Sequence, residues 1–147
     1  MSFRPISLAT AIALSPAAAL AEWTLDRAHS HIAFTVDHLG FSDVKGLFRE
    51  FEAEIAFDPE DLEATEVRFT IAAASVDTLW EPRNEHLRSG DFLDVANHPE
   101  ITFATTSVAT TGEDTAAVTG DLTIRGVTQE VTFDAVLNQI GPNPFDA

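Results

Sequence analysis

The fold of this chain is decided by a stretch near its C-terminal end, Gly120-Asp121-Leu122-Thr123-Ile124-Arg125-Gly126-Val127-Thr128. Apolar and polar residues alternate along the chain both before and after Arg125-Gly126, as they do in strands that bury one face. The Arg-Gly pair is typical of a tight turn, because glycine readily adopts the positive φ that two-residue hairpin turns require. The stretch therefore predicts a β-hairpin.

The same period-two alternation recurs along most of the chain. It predicts about seven strands, over Trp23 to Asp26, His31 to His38, Glu50 to Asp58, Glu66 to Ser75, Ile101 to Thr105, Val118 to Ile124 and Val131 to Leu137. Each strand has one apolar and one polar face, which favours antiparallel pairing. We therefore expect an all-β fold.

The longest segment without a strand pattern runs from Leu79 to Pro99. Its middle, Arg83 to Ser89, predicts one or two helical turns. Long irregular segments often have a functional role in compact domains. We expect this insertion either to gate an open end of the β-structure or to be a plain crossover connection.

The first 21 residues have the pattern of a secretory signal peptide. Arg4 supplies the positive charge, Ile6 to Leu14 is a short apolar core, and Ala19-Leu20-Ala21 matches a small-x-small cleavage site. We expect cleavage after Ala21 and a single domain over residues 22–147.

Composition excludes several classes of protein. The chain has no cysteine, so disulfides and thiol chemistry are excluded. Its formal net charge is −16, and a field of that sign repels nucleic acid and anionic membrane surfaces. We expect no nucleic-acid partner and no stable membrane insertion.

Catalytic and metal motifs are missing from the sequence. Of five histidines, His29 and His31 lie close enough to share one side of a strand, but no His-Glu-x-x-His or cysteine pair accompanies them. No Gly-x-Ser-x-Gly occurs, and the neighbours His29 and Ser30 would point to opposite faces of a strand. We expect no enzymatic activity, no metal and no cofactor.

An ordered set of segments resembles a known family. The set comprises Trp23-Thr24-Leu25-Asp26, His29-Ser30, His38-Leu39-Gly40, Val44, Gly46 and Phe48, Ser75-Val76-Asp77-Thr78, Arg83-Asn84, His86-Leu87-Arg88-Ser89, Asp91-Phe92, Pro99 and the 120–128 stretch. Together they resemble the YceI-like family of periplasmic polyisoprenoid-binding proteins. The resemblance implies a periplasmic, lipocalin-like antiparallel β-barrel that carries or stores a long isoprenoid lipid, either a polyprenyl quinone or a polyprenyl pyrophosphate.

The family pattern continues with further strands beyond Asn143-Pro144-Phe145, whereas this chain stops at Ala147. We therefore expect a barrel that is incomplete at its C-terminus, either as a fragment or as a naturally open barrel. An unpaired edge strand invites self-association, so the open edge favours a homodimer.

A prenyl chain offers only apolar surface, and burying each five-carbon unit contributes roughly 3–4 kcal/mol before association costs. The inward-facing candidates for its binding are Phe34, Val36, Phe51, Ile55, Phe69, Ile71, Phe103, Leu122, Ile124 and Phe133. The head-group candidates are His29, His38, Arg83, His86, Arg88 and Arg125. The strongly negative charge favours a neutral quinone head over a pyrophosphate. Two alternatives remain open: a periplasmic metal- or small-anion-binding module, and a structural or stress-related interaction protein with a solid barrel.

Overall fold

The computed structural model describes residues 21–142, and nearly all of its regular structure is antiparallel β. This confirms the predicted fold class. Among the described residues there are nine strands, two 3₁₀ turns and one α-helix. They are β1 (Ala21–Trp23), β2 (Ile32–His38), β3 (Ser42–Phe48), β4 (Phe51–Phe57), a 3₁₀ turn (Leu62–Ala64), β5 (Glu66–Ala72), a 3₁₀ turn (Ala73–Ser75), β6 (Val76–Asp77), α1 (Glu81–Arg88), β7 (Glu100–Thr110), β8 (Thr115–Ile124) and β9 (Val127–Val136).

The strands form two sheets. The larger has the order β1-β4-β5-β7-β8-β9 and the smaller the order β2-β3-β6. The sheets meet at one corner, where the Ala72 N–H donates to the Glu50 carbonyl at 3.0 Å and the Arg49 N–H to the Ser75 carbonyl at 3.2 Å. At the opposite side, β9 and β2 are the outer strands, and no pairing joins them within residues 21–142. The described part of the barrel is therefore open along one side, as expected for an incomplete barrel.

The predicted hairpin forms at the predicted turn. Ile124 pairs with Val127 across Arg125 and Gly126, whose φ angles are 49° and 72°. Two positive φ values in sequence are the mark of a type I′ turn, whose twist matches that of the flanking strands. The hairpin joins β8 to β9, the outermost strand of the larger sheet.

Several predicted strand boundaries need correction. β7 continues to Thr110, β8 begins at Thr115 and β9 begins at Val127, so these three strands are longer than predicted. β1 spans Ala21–Trp23 and not Trp23 to Asp26, because Asp26 turns the chain by accepting a hydrogen bond from the Ala28 N–H at 2.9 Å. The strand predicted over Glu66 to Ser75 ends at Ala72. The following residues turn in a 3₁₀ helix, which the Ser75 hydroxyl stabilises by donating to the Ala72 carbonyl at 2.7 Å.

The alternation did not predict β3 or β6. β3 has Gly46 on the face that Val44 and Phe48 share, and the missing side chain interrupts the apolar pattern of that face. Gly46 pairs with Phe34, and a Cβ on Gly46 would lie 2.4 Å from the Phe34 ring. The missing side chain therefore leaves room for the ring to lie across β3. β6 is only two residues long, too short to carry a periodic signal.

The core lies on the face of the larger sheet that meets the smaller sheet, since Ile32 and Phe48 pack against it. Phe51, Ile71, Ala73 and Ile101 form its buried cluster. Beside them, Phe103 stacks on Phe69 with ring centroids 4.9 Å apart. Gly120 on the next strand has no side chain, and this gap accommodates the Phe103 ring. No helix among residues 21–142 is long and apolar enough to span a membrane.

Candidate ligand cavity

A cavity of about 540 Å³ lies between the two sheets. Strands of the smaller sheet form one wall, strands β5, β7, β8 and β9 form the other, and the segment around α1 borders one end. Thirteen of the fourteen lining residues are apolar, and the exception is Asp91. The lining residues are Ile32, Phe34, Phe48, Phe69, Ile71, Val76, Leu87, Asp91, Phe92, Leu93, Ile101, Leu122, Ile124 and Phe133.

The structure brings six of the ten predicted tail-binding residues together on this cavity: Phe34, Phe69, Ile71, Leu122, Ile124 and Phe133. The other four lie elsewhere. Val36 is 53% exposed near the end of β2. Phe51 is buried in the core with the Arg27 guanidinium 4.8 Å above its ring. Ile55 borders a second, mixed polar and apolar cavity. Phe103 is 3% exposed and packs between the rings of Phe69 and Phe133, which line the cavity.

Eight lining residues were not among the candidates. Ile32 lies two residues before Phe34, and Ile101 lies two residues before Phe103. Each therefore shares a strand face with a predicted lining residue, and the alternation indicates that both point inwards. Phe48 and Val76 lie on the two strands that the alternation did not predict. Leu87, Asp91, Phe92 and Leu93 belong to α1 and the turns after it, where no strand periodicity points to the cavity.

The segment from α1 to β7 borders the cavity and is fixed by a buried polar network. Asn84, only 3% exposed, accepts hydrogen bonds from the Thr78 N–H at 2.8 Å and the Thr78 hydroxyl at 2.7 Å. Its amide group donates to Asp77 at 3.2 Å and to Glu81 at 3.3 Å. Every polar atom of this side chain thus has a partner, which stabilises one orientation of α1.

Two of the head-group candidates hold this segment in place. Arg83 donates to the hydroxyl of Thr78 at 2.7 Å and to its carbonyl at 2.8 Å. Arg88 donates to the Ala74 carbonyl at 2.8 Å, to the Val76 carbonyl at 3.1 Å and to Glu81 at 2.7 Å. The Arg83 guanidinium therefore contacts a hydroxyl and a carbonyl, and the Arg88 guanidinium contacts two carbonyls and a carboxylate.

Charge-assisted hydrogen bonds lower the pKa of two carboxyl groups in this network. The pKa of Asp77 is below its ordinary value because the Leu79 N–H donates to it, and Arg49 adds a further donor. The pKa of Glu81 is lowered chiefly by Arg88. Both groups are therefore ionised at neutral pH and act as fixed acceptors.

The lining residues Asp91, Phe92 and Ile124 are exposed, so the cavity opens to solvent where the 89–98 segment meets the β8–β9 turn; this opening is called the mouth below. Arg125 donates to the Gly90 carbonyl at 2.7 Å. At the same turn, a Cβ on Gly126 would lie 2.9 Å from the His98 ring. The hairpin turn and the segment after α1 are therefore in contact beside Ile124, which lines the cavity.

Two further polar side chains lie at the mouth. His86 Nε2 is 3.3 Å from an Asp91 carboxylate oxygen, and the His86 ring packs edge-on against Phe92 with centroids 4.8 Å apart. His86 and Arg125 are therefore the head-group candidates that lie next to the cavity.

The remaining candidates lie away from it. His29 forms an exposed pair with Asp26 at 2.8 Å and thereby lowers the Asp26 pKa. His38 is exposed at the end of β2. Within residues 21–142, no three His, Asp or Glu side chains are grouped as metal ligands would be.

Comparisons with known proteins place this geometry in context. The family model described as the YceI-like domain matches residues 23–147. A UPF0312 protein of Pseudomonas putida (strain W619) is 38% identical over 146 residues, which are 98% of this chain and 76% of that protein. The crystal structure of Burkholderia cenocepacia BcnA matches with a TM-score of 0.76 and 30% identity, over 80% of this chain and 74% of that one. The Campylobacter jejuni YceI protein matches with a TM-score of 0.68 and 34% identity, over 85% and 73% of the two chains.

Proposed function

The chain belongs to the YceI-like family, and on that basis we propose that it binds and carries, or stores, a long-chain isoprenoid lipid. The proposed ligand is a polyprenyl quinone or a polyprenyl pyrophosphate, with its tail in the cavity between the two sheets. Binding, and not catalysis, is the proposed activity.

The observation that carries this proposal is the apolar lining of the cavity. Thirteen of its fourteen lining residues offer only hydrocarbon, aromatic or methyl surface, and a prenyl chain has the same surface chemistry. The lining is rich in phenylalanine, whose rings fill space around a branched chain without requiring hydrogen-bond partners. A solid structural barrel would not leave this volume empty, because protein interiors normally pack to the density of organic crystals.

The size of the cavity also fits this ligand. A water-sized group occupies about 30 Å³, so the roughly 540 Å³ available holds about 18 non-hydrogen atoms. That corresponds to three or four isoprene units of five carbons each. The remainder of a longer tail would extend along the open side between β2 and β9.

The proposed place of action is the periplasm. Its support is the signal-peptide pattern of residues 1–21, which lie outside the described residues except for Ala21 in β1. Intact-mass measurement of the protein recovered from periplasm is the direct test. Loss of residues 1–21 is expected, and recovery of the full-length chain in the cytoplasm would contradict export.

The decisive experiment for the ligand is organic extraction of protein purified from its own periplasm, followed by mass spectrometry of the extract. A stoichiometric prenyl lipid is expected. An extract without prenyl lipid, from a sample whose circular dichroism shows a folded β-protein, would contradict the proposal. Metal analysis of the same sample tests the alternative of a metal-binding module.

We further propose a homodimer as the assembly. Its support is the two outer strands β2 and β9, which within residues 21–142 pair on one side only, β2 with β3 and β9 with β8. Exposed strand edges present a row of backbone donors and acceptors to another chain. Sedimentation velocity should give the mass of two chains, whereas a monomer at high micromolar concentration would contradict this assembly.

A further inference from the structure

Asp91 is the single charged residue in the wall of an otherwise apolar cavity. It lies in the turns after α1, directly before Phe92, which also lines the cavity. Its side chain is 77% exposed, and one carboxylate oxygen lies 3.3 Å from His86 Nε2. A ligand whose tail fills the cavity would therefore bring its polar end past this carboxylate.

We propose that Asp91 selects the head group of the lipid: it favours a neutral head that donates a hydrogen bond and disfavours a diphosphate. This inference rests on the proposed function, because it concerns the polar end of the same prenyl ligand. The head-group chemistry is a hydroxyl. Of the two ligand classes proposed above, it favours the prenylated quinone in its reduced, hydroquinone form; a prenyl alcohol is the other source of the same hydroxyl.

The chemistry of a carboxylate is the first reason. An ionised carboxylate accepts hydrogen bonds and donates none. A hydroxyl that donates to it forms a charge-assisted hydrogen bond, which is stronger than a neutral one. A quinone carbonyl, an ether oxygen or a phosphate oxygen has no proton to offer, so each meets the lone pairs of Asp91 without compensation.

The placement of His86 and Arg125 is the second reason. His86 already contacts Asp91, and Arg125 donates to the Gly90 carbonyl at 2.7 Å. A diphosphate would have to compete with Asp91 for His86 and with the Gly90 carbonyl for Arg125, while approaching the negative carboxylate of Asp91. It would also enter the field of a chain with a formal charge of −16.

The effect on affinity is moderate because the carboxylate is largely exposed before the ligand arrives. We expect the alcohol to bind about three- to tenfold more tightly than the matching ether, since solvent screening reduces the contribution of an exposed charge. Replacement of Asp91 by asparagine removes the charge and supplies an amide that donates as well as accepts.

The test compares three probes with the same tail of three isoprene units: the alcohol, its methyl ether and its diphosphate. Their affinities for the lipid-free protein are measured by calorimetry at neutral pH. The expected order is alcohol, then ether, then diphosphate. In Asp91→Asn the alcohol should lose its advantage over the ether, and diphosphate affinity should rise severalfold.

The matched control is Asp121→Asn. Asp121 is exposed and precedes the lining residue Leu122 on β8, so its side chain points to the opposite face of the sheet. The control removes the same charge from the chain without altering the cavity. The order of the three probes should therefore be that of the wild type.

The outcomes separate the two proposals. If none of the probes binds the folded wild-type protein, the proposed function is wrong and this inference fails with it. If all three bind equally, or if Asp91→Asn and Asp121→Asn behave alike, the proposed function stands and the role of Asp91 is wrong.

A prenylated hydroquinone and its oxidised quinone, compared without oxygen, identify the source of the hydroxyl. Tighter binding of the hydroquinone supports a quinol as the ligand. Tight binding of the alcohol with equal, weak binding of both quinone forms supports a prenyl alcohol. In either case the preference should disappear in Asp91→Asn.

Discussion

Replacement of Gly120 by alanine should destabilise the larger sheet strongly. A Cβ at this position would lie 2.4 Å from the Ala104 carbonyl oxygen and 2.5 Å from the Phe103 ring. Ordinary contacts of a Cβ begin near 3.4 Å, so β7 and β8 would have to separate by about 1 Å. Neither neighbour can yield easily, because one is backbone and the other is a ring that is 3% exposed between two further phenylalanines.

The magnitude follows from two costs. Overpacking of a core typically costs 1–3 kcal/mol, and a stretched sheet hydrogen bond adds about 1 kcal/mol. We expect Gly120→Ala to lower the free energy of unfolding by about 2–4 kcal/mol. With an m-value of about 2 kcal/mol/M, the midpoint of urea unfolding should fall by roughly 1–2 M.

Gly46→Ala is the matched control for this prediction. Its Cβ would also approach a ring, at 2.4 Å from Phe34, but the three nearest atoms all belong to that side chain. Phe34 is only half-buried and borders the cavity, so it can rotate at a cost of about 1 kcal/mol. A Gly120→Ala midpoint within about 0.3 M of the wild type, or equal losses in the two variants, would refute the reasoning.

Three further predictions concern the cavity, the buried network and the response to acid. Phe133→Asp places a charge on the cavity wall and should abolish prenyl binding in a fluorescence titration. Val136 is exposed on the other face of β9, so Val136→Asp should bind like the wild type. Equal binding by the two variants would contradict the assigned cavity. Asn84→Ala leaves two buried donors of Thr78 without an acceptor. It should lower the free energy of unfolding by about 2–4 kcal/mol in thermal unfolding. A loss below about 1 kcal/mol would be inconsistent with that network. Because the folded-state pKa of Asp77 is lowered, its stabilisation is present above the unfolded pKa of about 4 and is lost as pH falls through the folded value. Asp77→Asn should therefore be less stable than the wild type at pH 7 and less sensitive to acid, and parallel stability curves from pH 7 to pH 2 would disprove this linkage.

Much of the larger sheet could be predicted from the sequence, because its strands keep a strict alternation. β4, β5 and β8 face the core with the residues that the alternation selects, and the Arg125-Gly126 turn adopts the predicted positive φ values. The smaller sheet was predicted less well. Gly46 disrupts the local pattern, and its meaning becomes clear only when the Phe34 ring is placed across it.

The candidate site was likewise predicted only in part from the sequence. Alternation assigns a residue to the inner face of a strand, but it does not distinguish a residue that lines a cavity from one that other side chains cover. Phe69 and Phe103 pair across two neighbouring strands, yet Phe69 borders the cavity and Phe103 is buried in the core. That difference depends on the side chains that cover each ring, since Phe103 lies between Phe69 and Phe133 and against Gly120. Local sequence does not encode these contacts.

The sequence by itself determined the strand-rich fold class, the hairpin turn, the acidic surface and the family, since each depends on local periodicity, on composition or on an ordered set of motifs. Only the tertiary structure decided which apolar residues surround an empty volume and which carboxylate borders it. Asp91 is far in sequence from Ile32 and Phe133, and long-range packing of the segment after α1 against both sheets places the three on one cavity. The same packing directs Arg83 and Arg88 to the carbonyls of Thr78, Ala74 and Val76. It places His86 beside Asp91 and Arg125 beside the Gly90 carbonyl at the mouth, because these contacts join residues that are close only in the folded chain.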